Sequence, residues 1–225
     1  MNATYEAIES CGGELLNAEL TDLPTLDKHK LTAATKRAID VVASTGLLIA
    51  LSPVMLGVAC AIKLTSPGPI IFSQPRLTEG GRVFTLFKFR SMVSDAEAKT
   101  GAVLASRGDS RVTPLGRFLR KTRLDELPQL FNVLRGEMSM IGPRPERPEI
   151  AKQLSAQIPR FGRRLGAKAG LTGLAQVVQG YPDGVKGYRR KLGLDVLYIK
   201  KQSIWLDLVI ALRTIAVVLS GSGAR

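Results

Sequence analysis

The chain has one histidine, His29, and two cysteines, Cys11 and Cys60, in 225 residues. A zinc site built on two histidines is therefore excluded, and two cysteines alone neither close a structural zinc site nor imply a disulfide framework. A serine–histidine–aspartate triad would need that single histidine, which sits in a polar N-terminal stretch. Acidic residues are also scarce: 19 Asp+Glu stand against 32 Lys+Arg, for a net charge of +13. That excess predicts acidic partners, whether phosphorylated metabolites, nucleic acid or anionic lipid. Charged residues reach only 23% and apolar ones 45%, which argues against a disordered chain. The length suits one domain with a real core. Chemistry is left to carboxylates, Lys/Arg, hydroxyls or a carboxylate-held metal.

Charge is wholly absent from Val41 to Ile62, VVASTGLLIALSPVMLGVACAI. This run is long enough to cross a hydrocarbon core of about 30 Å as a helix. Polar and acidic residues precede it and no small-residue cleavage pattern follows, so it is not a signal peptide. A core helix of this length normally carries a polar stripe, and none is visible. Ser52-Pro53 lies in the middle, where proline removes a backbone donor and clashes with the preceding turn. Each limb is then only roughly 16 Å long, about half the hydrocarbon thickness. Lys28, Lys30, Lys36 and Arg37 precede the run, and Lys63 and Arg76 follow it, so the positive-inside bias places both ends in the cytoplasm. A kinked, re-entrant helix satisfies both observations, with the Ser52 hydroxyl as a local partner for backbone freed at the bend. A kinked spanning helix is the alternative.

The expected organisation is a polar tail over 1–35 with one short helix, a membrane helix over 36–64 and a catalytic domain over 65–225. Ile70 to Ser73 and Val83 to Phe89 read as strands flanking a hairpin signal, Thr78-Glu79-Gly80-Gly81. Ser94 to Lys99, Leu115 to Lys121 and Glu126 to Leu134 read as short helices, the last interrupted by Pro128. Residues 142–145 and 162–173 read as irregular. Ser203 to Leu219 is apolar with two charges, Asp207 and Arg213, and suits an interfacial or core helix.

The most suggestive acidic pair is Asp125-Glu126, preceded by Arg120, Lys121 and Arg123. Adjacent carboxylates beside cations could hold a divalent metal near an anionic ligand, and a carboxylate can attack phosphorus. By spacing alone a helix N-terminus, with Asp125 as cap, is the commoner meaning of such a pair. Lys88 and Arg90 alternate with Phe87 and Phe89, so on a strand both cations would share one face, which suits phosphate or plain solvent. Arg144 sits between Pro143 and Pro145, which stiffens its backbone and pre-positions its fork. Gly170-Leu171-Thr172-Gly173 could approach a phosphate through backbone N–H groups, although its spacing is not that of a P-loop.

Together these segments resemble the bacterial sugar transferase family, the monotopic polyprenyl-phosphate phosphoglycosyl transferases. The resemblance rests on Lys36-Arg37-x-x-Asp40 before an apolar helix with a central Ser-Pro, Gln74-x-Arg76 and Phe87-Lys88-Phe89-Arg90-Ser91-Met92. It continues through Leu124-Asp125-Glu126-Leu127-Pro128-Gln129, Gly136-Glu137-Met138-Ser139-x-Ile141-Gly142-Pro143-Arg144-Pro145 and Gly170-Leu171-Thr172-Gly173. It implies an α+β monotopic membrane protein with a re-entrant helix and a small cytoplasmic catalytic domain, on the cytoplasmic face of the bacterial inner membrane. The implied reaction, which opens exopolysaccharide or glycan assembly, moves a sugar 1-phosphate from a UDP-sugar to undecaprenyl phosphate. In that family the aspartate of the dyad is the covalent nucleophile and the glutamate helps to hold Mg²⁺, roles that fall on Asp125 and Glu126. Lys88 and Arg120 are expected to meet phosphate charge, and Arg144 resembles a nucleotide-side contact. The nearby cations are expected to keep Asp125 ionised. Implied partners are nucleotide sugar, polyprenyl phosphate and membrane lipid, not nucleic acid, with a homodimer left open.

Thr78 stands where many relatives carry glycine, Glu137 where aspartate is common, and Ala169 where proline often precedes Gly-Leu-Thr-Gly. Ala169 is expected to loosen the loop beside the substrate pocket. The long N-terminal membrane domain of larger relatives is not seen, and a minimal catalytic unit is expected. The competing class is a membrane-tethered basic binding protein for anionic lipid or nucleic acid, which leaves an acidic dyad among arginines unexplained.

Overall fold

The first helix, α1, spans Lys30–Thr65 and carries Pro53 in its interior. Proline at 53 deprives the carbonyl four residues back, that of Ile49, of its helical donor. The Ser52 hydroxyl donates to that same oxygen at 2.8 Å, so the expected repair is made within the helix. The computed structural model describes residues 30–94, 96 and 108–220. Residues 1–29 of the expected tail, with His29 and Cys11, lie outside these residues, whereas 30–35 are helical and belong to α1 instead of the tail; most of the helix expected over Ser94 to Lys99 also lies outside.

Both ends of α1 pack on one and the same domain. At its N-terminal end Arg37 donates to the Val133 and Leu134 carbonyls at 2.7 and 2.8 Å. Asp40 accepts from the Ser139 hydroxyl and the Met140 amide at 3.1 and 2.9 Å. Lys36 pairs with Asp207 at 2.5 Å. At the other end Val58 and Ile62 are buried with Phe89 and Leu119. The stretch between exposes its apolar residues, with Ile49 70% and Leu56 67% accessible. A soluble helix would bury such a face, so α1 is consistent with a monotopic membrane anchor.

Strands β1 (Ile71–Leu77) and β2 (Val83–Phe89) form an antiparallel pair, with Phe72 opposite Lys88 and Leu77 opposite Val83. A 3₁₀ turn at Glu79–Gly81 joins them, and Gly80 and Gly81 both take positive φ. The short helix α2 is Pro114–Lys121, begun by the Thr113 hydroxyl accepting from the Gly116 amide. A 3₁₀ turn at Leu124–Glu126 then leads into α3, Gln129–Arg135, which Gly136 ends in the left-handed conformation.

A second small sheet pairs β3 (Met138–Ile141) with β4 (Ala169–Thr172) in parallel. Parallel pairing needs a crossover, supplied by α4 (Pro148–Gln157) and a 3₁₀ turn at Phe161–Gly166. The chain closes with α5 (Leu174–Val178), α6 (Gly184–Lys201) and α7 (Ile204–Leu219). The result is a mixed α+β domain bearing one apolar helix. Phe84 and Leu86 pack with Val133, Met138 and Ala169 under the first sheet. Leu77, Ile150, Leu154, Phe161 and Tyr188 form a second cluster. Helix α7 buries Ile210 yet exposes Trp205, Leu208, Leu212 and Ile215, the pattern expected of an interfacial helix.

Three readings change. Gly170–Thr172 is strand, and the Gly170 amide donates to the Pro143 carbonyl while Thr172 accepts from Gly142, so the segment is sheet and the Gly170 donor is already engaged. The Asp125-Glu126 pair is not a helix cap, because α3 starts four residues after Asp125, behind Pro128. Ala169 does not loosen its loop. Its amide, which proline would lack, donates to the Thr78 hydroxyl at 3.1 Å, and that hydroxyl donates to the Glu137 carbonyl at 2.8 Å. The departures at 78 and 169 are two halves of one hydrogen bond.

Candidate active site

Arg123, just before the dyad, holds φ at 60°, a costly backbone state for a residue with a side chain. That twist sets up the tight 3₁₀ turn on which Asp125 and Glu126 are both buried, 6% and 8% accessible. The two carboxylates meet different fates. Arg144 forks onto Glu126, Nη2 to Oε1 at 2.6 Å and Nη1 to Oε2 at 3.3 Å. Lys88 reaches the same Oε1 at 3.2 Å and Arg123 approaches it at 3.7 Å. Burial alone would raise the Glu126 pKa. Arg144 and Lys88 outweigh it and hold the carboxyl well below the usual range.

Asp125 has neither hydrogen bond nor ion pair among the described residues, and it lines a cavity of about 690 Å³. Burial is the largest influence on it and raises its pKa. Lys88 and Arg120 oppose that rise while Glu126 adds to it. The neighbouring cations are thus opposed by desolvation at Asp125, and the net direction is upward from the ordinary carboxylate value. Of the three cations just before the dyad, Lys121 is exposed and Arg123 turns to Glu126.

Lys88, Arg120, Arg123, Arg144, Asp125 and Glu126 all face this one cavity. Lys88 arrives there because it shares the β2 face of Phe84 and Leu86. Arg120 is aimed by its Nε donating to the Ser91 hydroxyl at 2.9 Å. Arg90 lines the same cavity as Lys88, but its guanidinium is also engaged behind it. The strand ends at Phe89, and the Arg90 guanidinium donates to the Ser66 carbonyl and hydroxyl, both at 2.8 Å, pinning the turn that leaves α1.

Sequence reasoning missed Tyr181. Its ring lies 5.7 Å from the Arg123 guanidinium carbon, and its hydroxyl accepts from Arg123 at 3.4 Å at the cavity wall. Burial would raise its pKa, but Arg144 and Arg123 outweigh that and lower it. An aromatic residue between Gly180 and Gly184 is the only local signal. Also missed was the role of Gln74-x-Arg76: Arg76 donates to the Pro145 carbonyl at 3.2 Å and so supports the loop bearing Arg144.

Among the described residues no group of three or more His, Cys, Asp or Glu side chains could cage a metal. Mg²⁺ commonly takes one or two carboxylates and fills its remaining positions with water and substrate phosphate, and Asp125 and Glu126 are carboxylates on the wall of this cavity. A buried carboxylate without partners, among fixed cations in a cavity, has the makings of a nucleophile for an anionic electrophile.

The family model described as bacterial sugar transferase matches residues 31–221. A UDP-N-acetylgalactosamine-undecaprenyl-phosphate N-acetylgalactosaminephosphotransferase of Aeromonas hydrophila is 46% identical over 203 residues, 90% of this chain and 48% of that protein. A UDP-glucose:undecaprenyl-phosphate glucose-1-phosphate transferase of Caulobacter vibrioides is 45% identical over 191 residues, 84% of this chain and 71% of that protein. An Escherichia coli protein of the same description is 41% identical over 216 residues, 95% of this chain and 46% of that protein. The chain thus spans about half the length of two of these relatives and 71% of the third. The match covers both the apolar helix and every wall of the cavity, and on that ground the chain belongs to the bacterial sugar transferase family.

Proposed function

We propose that this protein transfers a sugar 1-phosphate from a UDP-sugar to undecaprenyl phosphate, in two steps through Asp125. The observation that carries the proposal is the contrast within the dyad: Glu126 is clamped by Arg144 and Lys88, while Asp125 is buried, unpartnered and open to the cavity. A tethered binding protein gives no reason to bury an unpaired carboxylate, which costs stability. The relatives are named for different sugars, so the sugar itself is not assigned.

In the first step an Asp125 oxygen attacks the sugar-bearing phosphorus, the bond to the bridging oxygen breaks, and UMP leaves with that electron pair. In the second, an oxygen of the lipid phosphate attacks the same phosphorus and Asp125 departs as carboxylate, leaving a diphosphate-linked sugar lipid. Lys88, Arg120 and Arg144 are fixed before substrate arrives, so they stabilise charge building on phosphoryl oxygens without reorganising. Glu126 keeps Lys88 and Arg144 in place. Glu126 would be the residue to hold Mg²⁺ beside the diphosphate, where the ion would supply further charge neutralisation.

The acceptor lives in the bilayer, and α1 is read as re-entrant with the domain on the cytoplasmic face of the inner membrane. Support comes from both ends of α1 resting on one domain, since a spanning helix would part them by the bilayer. The test of function incubates purified protein with radiolabelled UDP-sugar and no lipid. Label should stay on the wild-type protein as UMP appears, and Asp125→Asn should take none while remaining folded and membrane-bound. Turnover by Asp125→Asn at the wild-type rate would refute the covalent route.

A further inference from the structure

Arg144 projects from a five-residue stretch whose backbone is held at every position. The Gly142 amide donates to Thr172 at 2.8 Å, and the Pro143 carbonyl accepts from Gly170 at 2.9 Å. The Arg144 carbonyl accepts from Arg164 at 2.6 Å, the Pro145 carbonyl from Arg76 at 3.2 Å and the Glu146 carbonyl from Leu77 at 2.9 Å. Hydrogen bonds of the sheets or β1 account for most of these. Arg164 is different, because it is a side chain from the crossover and needs support of its own.

That support is a buried ionic cluster. Arg164, Asp195, Glu146 and Lys191 are 3%, 2%, 7% and 5% accessible. Arg164 places Nε and Nη2 on Asp195 Oδ2 at 3.0 and 2.9 Å, and its Nη1 stands 3.7 Å from Glu146. Lys191 donates to the same Glu146 carboxylate, and the Phe161 ring lies 5.3 Å from the Arg164 guanidinium carbon. Four buried charges are a poor route to stability, since apolar residues of similar volume usually serve as well or better. What an apolar side chain cannot do is donate to the Arg144 carbonyl.

We infer that Arg164, oriented by Asp195, is a positioning residue that sets the Arg144 fork on Glu126. It touches no substrate and works only through Arg144. The inference rests on the reaction proposed above and adds to it a support lying behind the cavity wall. Arg164→Lys keeps the charge but loses the fork that spans Asp195 and the Arg144 carbonyl together.

The experiment is a double-mutant cycle on UMP release with lipid acceptor, using Arg144→Ala, Arg164→Lys and their combination. Misplacing the fork by a fraction of an ångström to 1 Å should slow Arg164→Lys by about 10- to 100-fold in kcat, with the KM for UDP-sugar changed by less than about threefold. The double variant should be no slower than Arg144→Ala alone, because the two residues act as one unit. Asp195→Asn, which preserves shape, should show the same kcat loss when read at a temperature well below its own unfolding transition. Effects that add in the cycle, or an Asp195→Asn variant with wild-type kcat, would overturn the inference. A wild-type protein that releases no UMP would instead overturn the proposed reaction, so the two failures are distinct.

Discussion

Gly142 offers a test of how much the site depends on backbone packing behind it. A Cβ at this position would stand 3.0 Å from the Gly170 amide nitrogen and well under 3.0 Å from the Lys168 carbonyl oxygen. Both neighbours are backbone, so neither can swing aside. Gly170 and Gly173 meet Gly142 from the other side with equally little room, and the three glycines interlock. Relief in Gly142→Ala therefore requires β3 and β4 to part, or the 142–146 stretch to move, by on the order of 1 Å, and a displacement of that size at a positioning loop costs roughly 100-fold in rate. Overpacking adds a stability loss of about 1–3 kcal/mol. The control is Gly193, which lies inside α6 with nothing within 4 Å of its added Cβ. Gly193→Ala should be neutral in rate and gain about 0.5–1 kcal/mol from helix propensity. The assay pairs UMP release with thermal unfolding for both variants. A Gly142→Ala protein that works at the wild-type rate would show that the Arg144 loop tolerates displacement, and the reasoning about its rigidity would fail with it.

Lys88→Ala should lower turnover by about 100-fold or more while leaving membrane association intact, because Lys88 acts on phosphate charge and α1 supplies the attachment; sedimentation with vesicles beside an activity assay checks both. Cysteines placed at Ala34 and at Leu64, both exposed, should be protected from impermeant reagent in intact cells, and labelling at one end only would establish a spanning α1. Burial pushes the Glu146 pKa up, yet Lys191, Arg164 and Arg76 together bring it down to about 2. A lowered folded pKa means stability present above the unfolded value near 4.5 and lost as pH falls toward 2. Unfolding followed from pH 6 to pH 2.5 should therefore show wild type losing on the order of 3 kcal/mol in this window from that group, and Glu146→Gln should flatten that part of the profile.

The elements legible beforehand were those whose signal is local. Val83–Phe89 and the helix ending at Lys121 carry their own periodicity and punctuation, and Ser203 both begins α7 and caps it through the Leu206 amide. Elements whose signal lies in a distant partner were not legible. Met138–Ile141 is only four residues long and is a strand because Ala169–Thr172 lies beside it; α4 and α6 take their places from Leu77, Phe161 and Tyr188. The site divides in the same way. Residue types and order bring Asp125, Glu126, Lys88, Arg120 and Arg144 under suspicion, but adjacency in sequence says nothing of which carboxylate is clamped and which is free.

From the chain alone come the net charge of +13, the uncharged run broken by Pro53, and the dyad flanked by cations. These are consequences of composition and short-range order, and they hold whatever the fold. Tertiary structure decided that Arg144 and Lys88 converge on Glu126 and leave Asp125 bare, that Arg90 ties the exit of α1 through Ser66, and that Thr78 completes Ala169. Each of these depends on groups from 18 to 91 positions apart in the chain. Electrostatics and hydrogen bonding act across ångströms of space, and only the folded backbone sets those distances.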